Sequence, residues 1–185
     1  MLASASPQRR ALLGELGVPF AVHATDVEEI EHGGDPARIA VENALRKARA
    51  ASAARRSTAP EAVIGCDTIV VLDGTIYGKP RDEAQARATL GALQGRTHEV
   101  ISGLAVVLPA EERTALARTF VTFRTLGERE LEAYVATGEW RGRSGGYAIQ
   151  RGAARLALAI EGPEDNVIGL PLATLQSLYP ELSGS

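Results

Sequence analysis

One stretch restricts the possible folds more than any other: AVIGCDTIVVLDG, residues 62–74. Its apolar run falls short of the roughly 18 residues that a membrane span requires. It ends at an Asp-Gly pair, which suits a tight hairpin turn. The stretch therefore reads as a buried strand, yet Asp67 stands near its middle. An isolated ionised carboxylate in an apolar interior is costly even after relaxation. Either Asp67 has a charged partner or it faces a cleft.

Around that strand, helical patterns alternate with apolar extended ones. They predict a short strand near 2–5, a helix over 7–16, an extended piece over 19–24 and a helix over 36–51. Next come the strand 62–72, a helix over 82–94, and strands near 98–108 and 116–126. A helix over 128–137, a glycine-rich loop 142–152, a strand 154–161 and a helix over 171–179 complete the series. Helices interleaved with strands indicate an α/β protein, and the hairpin signals call for a mixed rather than purely parallel sheet. Boundary residues agree. Ser6-Pro7 and Asp35-Pro36 are helix starts, and Gly17 and Gly95 are stops. Ala86, Leu90 and Leu93 share one helix face. The Ala/Arg-rich segment 46–60 reads as the solvated end of a helix running into a loop that Pro60 closes. Met1 stands directly against LASAS, so the first strand is unusually short or the true start lies upstream.

The 185 residues are 45% hydrophobic, which suits one soluble globular domain over 1–185. Lys+Arg 20 against Asp+Glu 23 gives a net charge of -3, which argues against a general nucleic-acid or membrane-surface binder. Any basic site must be local. No signal-peptide pattern opens the chain. The single cysteine, Cys66, excludes an internal disulfide and reads as a small buried hydrophobe in a reducing compartment. His23, His32 and His98 lack metal-ligand spacing and read as surface or loop residues.

Several charges are placed badly for structure alone. SASPQRRALL (4–13) puts Arg9 and Arg10 in the first turn of a helix, where acidic residues belong. They are either solvated or part of an anion site built on free backbone N–H groups and guanidinium forks. IYGKPRDEA (76–84) offers Lys79 between a flexible glycine and a proline; taken alone, it is a surface lysine. Lys47 is a weaker signal still. RGRSGGYAIQRGAAR (141–155) combines four arginines, a glycine-rich loop and Gln150, and its plain reading is a flexible connector. TDVEEIE (25–31) supplies Glu28 and Glu29, solvated or available to a hard cation. One strand carboxylate, an acidic loop and scattered cations together describe a metal-dependent phosphate site.

These residues also resemble a known family. LASASPQRRALL, DVEE, RKA, CDTIVVLDG, GKPRDEA, LQGRTHEVISGLAVV, VTFRTL, SGGYAIQ and NVIGLPL occur in the order found in the Maf-like nucleoside triphosphate pyrophosphatases. The resemblance covers nearly the full chain. It implies an elongated α/β structure, its mixed β-sheet flanked by helices and split by a deep central cleft. It also implies hydrolysis of nucleoside triphosphates to the monophosphate and pyrophosphate with a divalent cation, Mg²⁺ or Mn²⁺.

Carried over by position, Asp67 matches the catalytic aspartate, a proton acceptor, and Glu29 and Asp67 are the implied metal ligands. Ser6, Arg9, Lys47 and Lys79 match the phosphate-binding positions. Gln8, Thr68 and Gln150 stand where the branches of the family differ, and Thr68 and Gln150 resemble the dTTP/UTP branch. The chain departs from that branch at Gln8, where Arg is frequent, at Arg143-Ser144 in place of Lys-Ala, and at Arg151, which interrupts Gln-Gly. Two other functions remain open: a pyrophosphatase for modified or purine nucleotides, and a non-catalytic nucleotide-binding regulator of cell division. Asp67, Glu29 and both lysines together favour the enzyme. The expected setting is cytoplasmic, with a nucleoside triphosphate as partner, no nucleic acid polymer, no membrane, and room for a homodimer.

Overall fold

The computed structural model describes residues 1–54 and 62–183. Five strands form one sheet: β1 (Val63–Leu72), β2 (Thr75–Tyr77), β3 (Thr97–Val107), β4 (Glu112–Phe123) and β5 (Ala157–Glu161). They lie in the order β2-β1-β3-β4-β5, and every neighbouring pair is antiparallel. Among the described residues, the parallel pairing that makes the sheet mixed is at Leu2, which bridges to Ile64 and to Val22. Helices α1 (Pro7–Gly14), α2 (Pro36–Ala54), α3 (Glu83–Leu93), α4 (Glu128–Ala136), α5 (Glu164–Ile168) and α6 (Leu172–Leu178) flank it.

The expected grammar is visible locally. Ser6 caps α1, its Oγ accepting from Arg9 N at 3.3 Å, with Pro7 in the first helical position. Asp73 and Gly74 both take positive φ, which makes the two-residue turn that pairs β1 with β2. Elsewhere the boundaries move. β4 starts at Glu112 and ends at Phe123, because its pairing with β3 runs to Val107↔Glu112, through residues too polar to read as strand. β5 starts at Ala157, since Gly152–Arg155 form a 3-10 turn first. α5, a single short turn of helix, carries no periodic signal. Helix α2 runs to Ala54, and the rest of the Ala/Arg-rich loop, 55–61, lies outside the described residues.

Strand β1 buries both faces, as its apolar run requires. Val63 packs among Ala44, Ala48 and Ala51, while Ile69 and Val71 pack with Ala40, all on the α2 side. Ile64 and Cys66 meet Leu12, Leu13, Leu170 and Leu175 on the other side, and Val70 and Leu72 join the cluster around Leu90 and Leu93. The buried stripe of α2 consists of two ridges with four-residue spacing. One is Ile39, Asn43, Lys47 and Ala51; the other is Ala40, Ala44 and Ala48. The alanine ridge lies on Gly65 and Gly103. A Cβ at Gly65 would strike the Ala44 carbonyl, and one at Gly103 would strike the backbone of Ala40 and Val41. Backbone touches backbone here, so no larger residue fits.

His98 is not a surface residue. Strand alternation turns it inward, where it is buried, with Nε2 and the Tyr147 hydroxyl 2.9 Å apart and the Phe123 ring edge-on. Burial brings its pKa down from 6.5 to about 4. Cys66 is buried as expected, and burial pushes its thiol pKa up.

Two outcomes are expected. Gly103→Ala should destabilise the protein by about 1–3 kcal/mol through overpacking. Gly91→Ala, on an α3 surface with open space around it, should stabilise it by about 0.4–1 kcal/mol. Chemical denaturation of the two variants measures both. The neutral His98 ring contributes stability that is full above its unfolded pKa of 6.5 and is lost as pH falls toward about 4. The wild-type Tm should drop across that window, and the Tm of His98→Gln should vary less with pH there.

Candidate active site

Asp67 does have a charged partner, and it faces a cleft as well. It lies on the α2 side of β1, paired across the sheet with Gly103, and is 3% exposed. Its Oδ1 accepts from Lys47 Nζ at 2.5 Å and its Oδ2 from Asn43 Nδ2 at 3.0 Å. Both donors sit on α2, one helical turn apart, so the close seat of that helix on the glycines delivers them together. Lys47 is not a solvated lysine; it is 8% exposed, and its Nζ also lies 2.7 Å from Glu29 Oε1.

Glu29 arrives from the acidic loop before α2, which Asn43 holds in place. Ile30 N donates to Asn43 Oδ1 at 2.8 Å, and Asn43 Nδ2 donates to Ile30 O at 3.0 Å. This clamp turns Glu29 inward, whereas Glu28 is exposed. Lys79 Nζ, from the loop after β2, lies 2.9 Å from each Glu29 oxygen. Burial alone would raise the Glu29 carboxyl, but hydrogen bonds and charge from Lys47 and Lys79 outweigh it and lower its pKa from 4.5 to about 2. Among the described residues, no three His, Cys, Asp or Glu side chains are grouped to hold a cation by themselves. Asp67 and Glu29 nevertheless reach one ammonium between them. Such a pair of oxygen donors fits a hard divalent cation that takes its remaining ligands from phosphate and water.

Thr68 points to the opposite face of β1. Its Oγ1 is 2.8 Å from Ser102 Oγ, directly across the sheet, and accepts from Arg9 Nη2 at 3.1 Å. Arg9 also donates through Nε to Gly169 O at 2.8 Å and through Nη1 to Ser4 Oγ at 3.4 Å. The first-turn arginines thus separate: Arg9 folds inward as a held fork, and Arg10 is exposed. Gln8 accepts from Ser6 Oγ at 3.0 Å. The glycine-rich loop is a fitted wall rather than a flexible connector. Gly145 to Ile149 are buried, Ser144 Oγ donates to Thr68 O at 2.7 Å, and Gly145 N donates to Gly78 O at 3.1 Å. That wall leaves Gln150 exposed at the rim.

These pieces enclose a cleft of about 610 Å³. Ser6, Gln8, Arg9, Glu29, Lys47, Asp67, Thr68, Lys79 and Gln150 all line it, whereas Arg10 and Glu28, the other charges the sequence offered beside Arg9 and Glu29, do not. Three supporting residues escaped the sequence reading. Asn43 had a usable signal, an amide on the apolar stripe of a helix one turn before Lys47. Ser102 and the Gly169 carbonyl had none, because only the register of β3 and the end of α5 bring them to Thr68 and Arg9.

Comparison with known proteins adds a family. Residues 1–182 match the family described as Maf-like protein. Proteins named dTTP/UTP pyrophosphatase are similar over nearly the whole chain. That of Symbiobacterium thermophilum is 44% identical over 190 residues, covering 100% of this chain and 96% of the relative. That of Deinococcus radiodurans is 44% identical, covering 96% of this chain and 90% of its own length. That of Moorella thermoacetica is 45% identical, covering 96% and 92%. With the match running from the first residue through the last described helix, the chain belongs to the Maf-like family.

Proposed function

We propose that this protein is a nucleoside triphosphate pyrophosphatase that hydrolyses dTTP and UTP to the monophosphate and pyrophosphate. One observation carries the reading: a buried strand carboxylate, Asp67, opens onto a cleft lined by a second carboxylate, Glu29, and by the cations Arg9, Lys47 and Lys79. The names of the similar proteins point the same way.

In this reading Asp67 is the general base. Its carboxylate takes a proton from a water whose oxygen bonds to the α-phosphorus, while the bond from that phosphorus to the bridging oxygen breaks and pyrophosphate leaves. Arg9, Lys47 and Lys79 bind the phosphates and stabilise the charge that builds on them, and Ser6 contributes from the mouth of α1. Arg9 is already held by three acceptors on separate segments, so little reorganisation is needed when phosphate arrives. Asp67 and Glu29 would hold a divalent cation, Mg²⁺ or Mn²⁺. Such a cation supplies Lewis-acid polarisation of the phosphate oxygens.

Base selection falls to the rim. Gln150 offers an amide donor and an amide acceptor, which complement the O4 acceptor and N3–H donor of thymine or uracil. Thr68 acts differently, because its hydroxyl is engaged by Arg9 and Ser102. Its contribution is to fix the Arg9 fork beside Gln8. A cytoplasmic setting goes with free nucleotides as substrates. No helix among the described residues is long and apolar enough to cross a membrane.

Two variants test the reading by pyrophosphate release. Asp67→Asn should lower kcat by about 10²–10⁴ while circular dichroism and the Tm show a folded protein. Near-wild-type turnover would remove Asp67 from the mechanism. Gln150→Glu replaces a donor with an ionised carboxylate and should depress kcat/KM for dTTP and UTP more than for GTP. Unchanged dTTP kinetics in that variant would mean that Gln150 does not read the base.

A further inference from the structure

The ion pairs around Lys47 raise a question that general phosphate binding does not answer. All four oxygens of Asp67 and Glu29 already accept from protein donors. Lys47 takes Asp67 Oδ1 and Glu29 Oε1, Asn43 takes Asp67 Oδ2, and Lys79 takes both oxygens of Glu29. The Lys47 side chain is only 10% exposed, and its helix is pinned to the sheet at Gly65 and Gly103, so its ammonium is confined between the two carboxylates. A divalent cation approaching that pair meets two ammonium groups already seated on its oxygens, Lys47 buried and Lys79 half-exposed.

We propose that Lys47 is a gate on cation binding: it holds the Asp67–Glu29 pair until a triphosphate draws it away, so the divalent cation enters with the nucleotide and not ahead of it. The inference rests on the proposed reading of the cleft as a metal-assisted triphosphate site. Lys47 and Lys79 line the same cleft as Arg9 and lie where a polyphosphate would lodge. A phosphate chain competes for both ammonium groups by charge-assisted hydrogen bonds. As each lysine turns toward phosphate, it releases carboxylate oxygens to the incoming cation. The exchange conserves charge: lysines pass from carboxylate to phosphate, and the carboxylates pass from lysine to metal. Linkage makes the coupling reciprocal, so nucleotide and cation each strengthen binding of the other by the same factor.

The test reads cation binding directly. Mn²⁺ is titrated into the intact chain without nucleotide, and free Mn²⁺ is followed by electron paramagnetic resonance. Wild type should bind it weakly. Lys47→Met, near in length but uncharged, should bind it roughly tenfold more tightly or better, as expected for removing a charge in contact with both ligands. Adding Asp67→Asn to Lys47→Met should cancel the gain. Lys79→Ala keeps the test open if Lys47→Met does not fold. It removes a cation that is 48% exposed from Glu29 alone and should tighten Mn²⁺ binding by a smaller factor. A uridine triphosphate analogue with nitrogen bridging the α- and β-phosphorus should lead wild type to bind Mn²⁺ in a low-symmetry environment. Tight Mn²⁺ binding by wild type alone, or unchanged affinity in both lysine variants, would overturn the gate. Wild-type turnover of dTTP with unchanged Mn²⁺ affinity in the variants would sink the gate and leave the enzyme reading intact. Tighter Mn²⁺ binding by the variants, together with no turnover of any nucleoside triphosphate by the wild type, would do the reverse.

Discussion

The seat of α2 on two glycines is the contact on which the rest of the site depends. Gly65 on β1 and Gly103 on β3 lie on a diagonal, Gly65 opposite Ala105 and Gly103 opposite Asp67, and the ridge Ala40–Ala44–Ala48 rests on them with backbone in contact. Close packing of this kind gains dispersion energy over the whole helix while leaving no room for a side chain between the layers. Its consequence is chemical. The neighbouring ridge of the same helix carries Asn43 and Lys47, so whatever fixes the alanines also fixes an amide and an ammonium against the one carboxylate of β1. A larger residue at either glycine would lift the helix and separate Lys47 from Asp67, although neither glycine touches the reacting groups.

That dependence explains how a carboxylate survives inside an apolar strand. Desolvating Asp67 and Lys47 together is costly, and breaking such a buried pair by removing one partner typically costs about 3–5 kcal/mol. The pair persists because its remaining lone pairs and protons are also satisfied. Asn43 bonds the second Asp67 oxygen, and Glu29 takes a further Lys47 proton. Asn43 does this while clamping the Ile30 backbone, so one side chain fixes the strand carboxylate and the loop that presents the other carboxylate. A network of this kind is rigid only when complete. Here the five members come from four segments, β1, α2 (Asn43 and Lys47), the acidic loop and the loop after β2, and the cleft is their common meeting point.

How much of this could be read in the sequence depends on the range of the interaction. Asp67 was conspicuous because a carboxylate within an apolar run contradicts its surroundings, and Arg9 because a cation in a first helical turn opposes the helix dipole. Such conflicts are local and therefore legible. The helix starts at Ser6 and Asp35 and the turn at Asp73-Gly74 were legible for the same reason. What the residues alone left open was pairing over distance. Lys47 reads as one more lysine in an Ala/Arg-rich helix until its ridge is seen against Gly65 and Gly103. His98 reads as a surface residue until β3 alternation and Tyr147, forty-nine positions away, bury it. The family resemblance carried Lys47, Lys79 and Glu29 to the cleft where local reasoning could not, and it said nothing of Asn43 or Ser102.

The adjacency of Asp67 and Thr68 shows how the two halves of the task are kept apart. Successive strand residues point to opposite faces. Asp67 therefore joins the α2 side, where two carboxylates and two lysines are gathered. Thr68 joins the α1 and α5 side, where it bonds Ser102 and accepts from Arg9, which also donates to the Gly169 carbonyl. Both faces open into one cleft because the chain around β1 is wrapped by the N-terminal segment on one side and by the Ser144–Ile149 wall on the other. A single step along the strand thus separates the proposed base from the group that orients the arginine fork. A change at Thr68 disturbs Arg9 without crossing the sheet to Asp67. In the proposed reading, substrate choice can then vary at Gln8, Thr68 and Gln150 while Asp67, Lys47 and Glu29 keep their geometry, because the strand itself insulates one set from the other.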